Sequence, residues 1–232
     1  MSTPTTKRLR SGVRVSAEPS GASYFGERIE DGPGESGARP DLGKMETQIL
    51  LAAIALFAER GFENCSMRAI AEASGLKAPT LYNYYPSKEA VLIEAMSFGM
   101  DDFFNFVLDG IEQLPRADQL FEIVRRHASY KMRRRIISRA NDRLIDTQFS
   151  RIFLPEDVAA KFDQQLKHYR HRVQDLISDF ISADDPIAPK IITLAILTQC
   201  DRLAYWYEPD GSLSAEAIID QLNILTRRLL GL

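Results

Sequence analysis

Between Met45 and Glu89 the chain spells out three short helical patterns separated by two breaks, and few folds accept that punctuation. Ile49, Leu50, Ala53, Ile54 and Phe57 recur at helical spacing, so they share one face, and Gly61 stops the run. Ser66 stands where it can cap a second helix from Met67 to Ala73. Ser74-Gly75-Leu76 then reads as a tight corner, because glycine tolerates positive φ. Pro79 suits the first turn of a third helix, where the backbone N–H has no intrahelical partner; Thr80 to Tyr84 form its body and Pro86 ends it. Two short helices joined at a steep angle by a glycine-bearing turn make an element whose second helix fits the major groove of DNA.

The run Ile70-Ala71-Glu72-Ala73-Ser74-Gly75-Leu76, followed by Pro79-Thr80-Leu81-Tyr82-Asn83-Tyr84-Tyr85-Pro86-Ser87-Lys88-Glu89, resembles the DNA-binding signature of the TetR family of one-component bacterial repressors. It covers about a fifth of the chain. The resemblance implies an all-α homodimer. A small N-terminal three-helix helix-turn-helix domain would bind double-stranded operator DNA, and a larger C-terminal helical domain would bind a small-molecule effector and dimerise. The expected divisions are a tail over 1–43, the DNA-binding domain over 44–92, and the effector-binding and dimerisation domain over 93–232. One departure stands out: Lys77 occupies the position where the family usually has a capping Ser or Thr, which leaves its side chain available to DNA.

With 45% hydrophobic and 26% charged residues the chain is ordinary globular material, enough for one large domain or a small and a medium one. A net charge of −3 provides no general attraction to polyanions, so any DNA contact must come from local groups. Cys65 and Cys200 form no metal or redox motif and read as buried thiols. His168 and His171 stand three apart and His127 stands alone, too few ligands for a metal site, and no cofactor is expected. There is no signal-peptide pattern and no apolar stretch of about 18 residues, so the expectation is a cytoplasmic protein without a membrane partner. A helical-bundle enzyme with an appended helix-turn-helix is the reading from another class. The sequence lacks paired Glu-x-x-His motifs, a P-loop and a nucleophile elbow, so no enzyme activity and no catalytic residue is expected.

Residues 1–43 hold seven of the thirteen glycines and four of the eleven prolines, with few large apolar residues to offset chain entropy, so a disordered tail is expected. Lys7, Arg8, Arg10 and Arg14 precede the first acid, Glu18, and read either as solvated charge or as an arm touching DNA.

Beyond Ala90 no strand-like alternation occurs. A helix continues from Val91 to about Gly110, and a long one is predicted from Ala117 to Thr147 with Leu120, Val124, Ala128, Met132, Ile136, Ala140 and Leu144 four apart. Pro155 opens another, to about Ile181. Two apolar helices close the chain, Ile187 to about Tyr207 and, after the cap Ser214, Ala215 to Leu230; they resemble the pair that packs across the two-fold axis in the TetR family.

For the DNA face, Thr80, Tyr82, Asn83 and Tyr84 lie on the third helix with Leu81 pointing inward, and Lys77 and Ala78 lie at its N-terminal end. Lys and Asn can hydrogen-bond base edges, whereas Tyr and Thr hydroxyls more often bind phosphate. Lys88, after the cap Ser87, reads as a phosphate clamp at a helix N-terminus, and Arg68 in the second helix can reach base or phosphate.

On the effector side, Arg125, Arg126, Lys131, Arg133, Arg134, Arg135, Arg139 and Arg143 crowd one predicted helix and read either as solvated, acid-paired charge or, in part, as an anion site. Met132, Arg134, Arg135, Phe162 and Trp206 are the candidate ligand residues, with Trp206 also suited to packing across a dimer. The ending Trp206-Tyr207-Glu208-Pro209-Asp210-Gly211-Ser212-Leu213-Ser214 resembles the C-terminal domain of TetR-like regulators of lipid, steroid and aromatic catabolism. That implies an acyl-CoA thioester as effector; a regulator of an efflux pump answering to an aromatic or cationic compound is the alternative.

Overall fold

Helix caps set most of the element boundaries. The computed structural model describes residues 43–144, 152–182 and 184–232, and among them are α1 (Lys44–Arg60), α2 (Met67–Ala73), α3 (Ala78–Tyr84), α4 (Lys88–Leu108), a 3-10 turn (Ile111–Gln113), α5 (Arg116–Arg133), α6 (Arg135–Leu144), α7 (Glu156–Ser178), α8 (Pro189–Trp206) and α9 (Ala215–Leu229). No strand occurs among the described residues, as the all-α expectation requires. The tail with Lys7, Arg8, Arg10 and Arg14 lies outside the described residues, as do the expected end of the long helix at Thr147 and the side chains of Arg143 and Leu144.

Ser66, Ser87 and Ser214 each accept the backbone N–H three residues on, at 3.2, 3.1 and 3.2 Å, and so start α2, α4 and α9. Each such cap stabilises its helix by about 1 kcal/mol. The corner between α2 and α3 is closed by Gly75, at φ 73°, with Leu76 N–H donating to Ala71 C=O at 2.8 Å and Gly75 N–H to Glu72 C=O at 3.1 Å. Only a residue that accepts the left-handed region can complete that double bond pattern.

An N-terminal core gathers Ile49, Leu50, Ile54 and Phe57 of α1, Ile70 of α2, Leu81 of α3 and Leu92 and Met96 of α4. It also takes in Ala140, Leu154 and Phe162, far along the chain. α4 runs without a break through the boundary expected at 92/93 and goes on to place Val107 in a second core with Leu120, Val124, Val173, Ile196 and Cys200. The two parts therefore share a helix and apolar contacts rather than a linker.

The single long helix expected from Ala117 to Thr147 is corrected. Arg134, at φ −114° and ψ 45°, leaves the helical region and divides it into α5 and α6. Residues four apart drift by roughly 40° per step around a straight helix, so the stripe from Leu120 to Leu144 cannot stay on one face. The break resolves the conflict. Leu120 and Val124 enter the second core, Met132 packs with Leu203 and Ile218, Ile136 faces solvent, and Ala140 joins the N-terminal core.

Candidate DNA interface and effector cavity

Leu81 is fully buried, and it anchors α3 to the N-terminal core while Thr80, Tyr82, Asn83 and Tyr84 are left exposed around it. Ala78 is half-buried against the same core. Lys77 is the N-cap of α3 and makes no side-chain cap bond, so its exposed ammonium is uncommitted, as its substitution for a hydroxyl residue foretells. Arg68 is exposed in the first turn of α2. The corner that sets the angle between α2 and α3 is pinned to α1, because Gln48 Nε2 donates to Ser74 C=O at 3.2 Å. The result is a short helix with a buried apolar anchor and an outer face of one lysine, one amide and three hydroxyls, and no acid.

Lys88 is placed otherwise than the phosphate-clamp expectation. Its ammonium donates to the carbonyl oxygens of Phe62 at 2.8 Å, Cys65 at 2.9 Å and Glu63 at 3.3 Å, and it lies 4.3 Å from the centre of the Phe62 ring. An ammonium has three donors, and all three are taken. The side chain ties the start of α4 to the loop between α1 and α2.

A cavity of about 460 Å³ opens among α4, α5, α6, α7 and α8. Phe103 and Phe104 of α4, Tyr130 of α5, Tyr169 and Leu166 of α7 and Leu197 of α8 supply much of its wall. Phe103 stands edge-on to His127, Tyr130 and Tyr169, with ring centres 4.9, 5.2 and 5.6 Å away. One side is polar and largely self-paired. Asp201 accepts from Lys131 at 2.9 Å and lies 3.0 Å from His127 Nε2, Asp142 accepts from Lys131 at 2.9 Å, and the Tyr169 hydroxyl lies 3.1 Å from His127 Nδ1. Burial alone would depress the Lys131 ammonium, but Asp201 and Asp142 outweigh it and hold its pKa above the ordinary value. Behind the wall, Tyr130 donates to the buried Asp102 at 2.9 Å. Burial raises the Asp102 pKa, and Arg134 and Tyr130 offset only part of that rise.

The five candidate ligand residues are not brought together, and none lines this cavity. Met132 is buried between α5, α8 and α9, and Phe162 belongs to the N-terminal core. Arg134 sits 3.3 Å from Asp102, and the Arg135 Nε is buried without a partner. Trp206 is 52% exposed, at the outer end of α8. Arg125 and Arg126 follow the acid-paired reading, both holding Glu122 at 2.6 Å, whereas Arg139 donates to backbone carbonyls, Ala204 C=O at 2.6 Å and Tyr205 C=O at 3.1 Å near the end of α8. The cavity's cations are Lys131, Arg170 and Arg202 instead. A sequence signal existed for the polar wall: Asp201 is the lone acid between Ile191 and Leu203, in an otherwise apolar run.

Both thiols are buried, as their reading required. Cys65 Sγ donates to Leu56 C=O at 3.3 Å, and burial pushes the Cys200 thiol up to about 12. Among the described residues no group of three or more His, Cys, Asp or Glu is placed to hold a metal, and no helix is long and apolar enough to cross a membrane. On α8 and α9, by contrast, Ile191, Leu194, Ile224, Leu225 and Leu229 are exposed.

Residues 49–95 match the family described as bacterial regulatory proteins, tetR family, and residues 113–230 match the tetracyclin repressor-like C-terminal domain. The chain is 37% identical over 75 residues to the HTH-type transcriptional repressor KstR2 of Rhodococcus jostii, a match that spans 32% of this chain and 33% of that relative. It is 24% identical over 210 residues to the HTH-type transcriptional activator FasR of Mycolicibacterium smegmatis, covering 86% and 89% of the two chains. Among solved structures, AibR in complex with isovaleryl coenzyme A and operator DNA is similar with a TM-score of 0.66 at 24% identity, over 78% of this chain and 97% of that one.

Proposed function

Because the chain belongs to the tetR family of bacterial regulatory proteins, whose two domain types it matches over 49–95 and 113–230, we propose that it is a repressor that binds a pseudo-palindromic operator as a homodimer and is released by a small molecule. The observation that carries the DNA half is the exposed polar face of α3 over the buried Leu81. One seven-residue helix reads few bases, and two-fold symmetry doubles the site. The proposed dimer surface is the exposed apolar stripe of α8 and α9, since a patch of this kind on a helical pair marks an association site.

The proposed effector is an acyl-CoA thioester, with its acyl group in the cavity and anionic groups at Arg170 and Arg202, both exposed at the wall. The solved structure of AibR with isovaleryl coenzyme A supports that class. A cationic effector is opposed by Lys131, which already fills the space between Asp142 and Asp201. Release requires that the ligand fit one arrangement of the DNA-binding helices better than the other, since equal affinity for both would shift nothing. α6 is suited to transmit that difference, because Ser138 and Asp142 face the cavity while Ala140 packs in the N-terminal core. The test is operator binding by the intact protein, selected from random duplexes, followed by titration with isovaleryl-CoA and longer acyl-CoA esters. Recovery of a two-fold symmetric site that the thioester releases is the expected result; recovery of no preferred sequence overturns the proposal.

A further inference from the structure

Among the described residues, one side-chain group in the polar wall of the cavity has no partner. Ser138, on α6, is 1% exposed, lines the cavity, and its Oγ has no hydrogen-bond partner. Its own N–H is already spent on Arg134 C=O at 2.8 Å. Other hydroxyl residues within the helices, or at their ends, solve the same problem locally: Ser74 donates to Ile70 C=O at 2.7 Å, Thr193 to Pro189 C=O at 2.8 Å and Ser178 to Gln174 C=O at 3.0 Å, each to the carbonyl four residues back. Ser138 does not use that carbonyl. A buried hydroxyl kept unpaired at a cavity wall, where an alanine would fit the helix better, is costly unless a guest satisfies it.

We propose that the buried part of the effector carries a neutral oxygen function, a carbonyl or hydroxyl, that hydrogen-bonds to Ser138 Oγ. This rests on the reading of the cavity as the effector site. Charge complementarity requires that function to be neutral. Lys131 is held by Asp142 and Asp201, Asp201 also faces His127, and the Tyr130 hydroxyl is committed to Asp102. Among the described residues Lys131 is the ammonium inside the cavity and both carboxylates hold it, so an acid group finds no unpaired cation there. The rest of the interior, Met100, Phe103, Phe104, Leu166 and Leu197, is apolar and asks for a ring or a branched chain. Arg170 and Arg202, exposed at the wall, remain the place for any anion that the same molecule bears. A hydroxyl can donate to a ketone or accept from an alcohol, so the site admits oxygenated ring or acyl bodies and holds plain hydrocarbon less well.

The experiment uses the full chain and two uncharged probes of nearly equal shape, 1-indanone and indane, titrated by calorimetry or saturation-transfer NMR. Neither probe needs a thioester, so the result is independent of the acyl-CoA reading. The expectation is that 1-indanone binds about fivefold tighter than indane, the size of one neutral hydrogen bond. Ser138→Ala should abolish that preference without weakening indane, and Ser138→Thr, which keeps the hydroxyl, should retain it, with a melting temperature of Ser138→Ala at or above the wild type's and cooperative melting of Ser138→Thr as the folding controls. Equal affinity of the two probes for the wild type, or a preference that survives in Ser138→Ala, overturns the Ser138 assignment while the cavity keeps its role. Failure of both probes to bind overturns the cavity as an effector site and this assignment with it.

Discussion

Lys88 Nζ lies 2.8 Å from the carbonyl oxygen of Phe62 and 4.3 Å from the centre of that residue's ring. The same ammonium serves Cys65 and Glu63, so one side chain satisfies three carbonyls of the loop that leads into α2.

Lys88→Met should therefore act first on stability. Losing a charged donor and leaving carbonyls without it costs about 1–3 kcal/mol. Thermal denaturation should show the loss, while the salt slope of DNA binding, measured where the variant is fully folded, stays as in the wild type. An unchanged melting temperature with a slope reduced by about one unit would restore a phosphate contact for Lys88.

The difference at Lys88 shows where sequence reading ends. Ser87-Lys88 announces a helix start, and the structure has that start with its cap. Which partner a lysine finds there depends on where the loop from Phe62 to Cys65 passes, more than twenty residues earlier, and no local pattern encodes that. Positions whose fate is decided within one or two turns were legible: the caps Ser66 and Ser214, the corner at Gly75, the inward Leu81. The cavity was not, because it is assembled from five helices. Phe162 looked like a wall of it from its place on α7, yet it packs under the N-terminal helices, since α7 spans 23 residues and serves two cores.

Lys77 and Leu81 separate readout from folding on one helix. Lys77→Ala should leave melting unchanged, because the side chain is exposed and makes no cap bond. If it reads a base, preference at one position per half-site should relax at a cost of about 1–3 kcal/mol, seen by competition among operator variants. Equal weakening on every sequence would assign it to phosphate. Leu81→Ala should instead destabilise the protein by about 2–5 kcal/mol through the void it leaves.

Association should depend on the stripe of α8 and α9. Ile191 is 57% exposed and Ile224 50%, although both sit on helices whose other faces are core. Ile191→Asp combined with Ile224→Asp should give a folded monomer by light scattering with the helical circular dichroism intact, and operator affinity should fall because one half-site is read at a time. A wild type that is itself monomeric at micromolar concentration would sink the dimer proposal.

Asp201 Oδ1 lies 3.0 Å from His127 Nε2 and 2.9 Å from Lys131 Nζ, and this pairing has a pH signature. Burial alone would raise the carboxyl, but the hydrogen bond to His127 and the charge of Lys131 hold it well below the usual carboxylate range. A group whose folded pKa is depressed stabilises the fold above its unfolded value, about 3.9 for Asp, and that contribution is lost as the pH falls toward the folded value. Asp201→Asn should thus lower stability at neutral pH. The side chain is 45% exposed, which keeps water near the pair. The loss should therefore be about 1–2 kcal/mol rather than the larger penalty of breaking a dry ion pair. Denaturation of wild type and variant from pH 7 down to pH 3 checks the sign: the gap should hold above about 4 and narrow below it. A gap that stays constant across the range would mean that Asp201 contributes through packing and not through its charge.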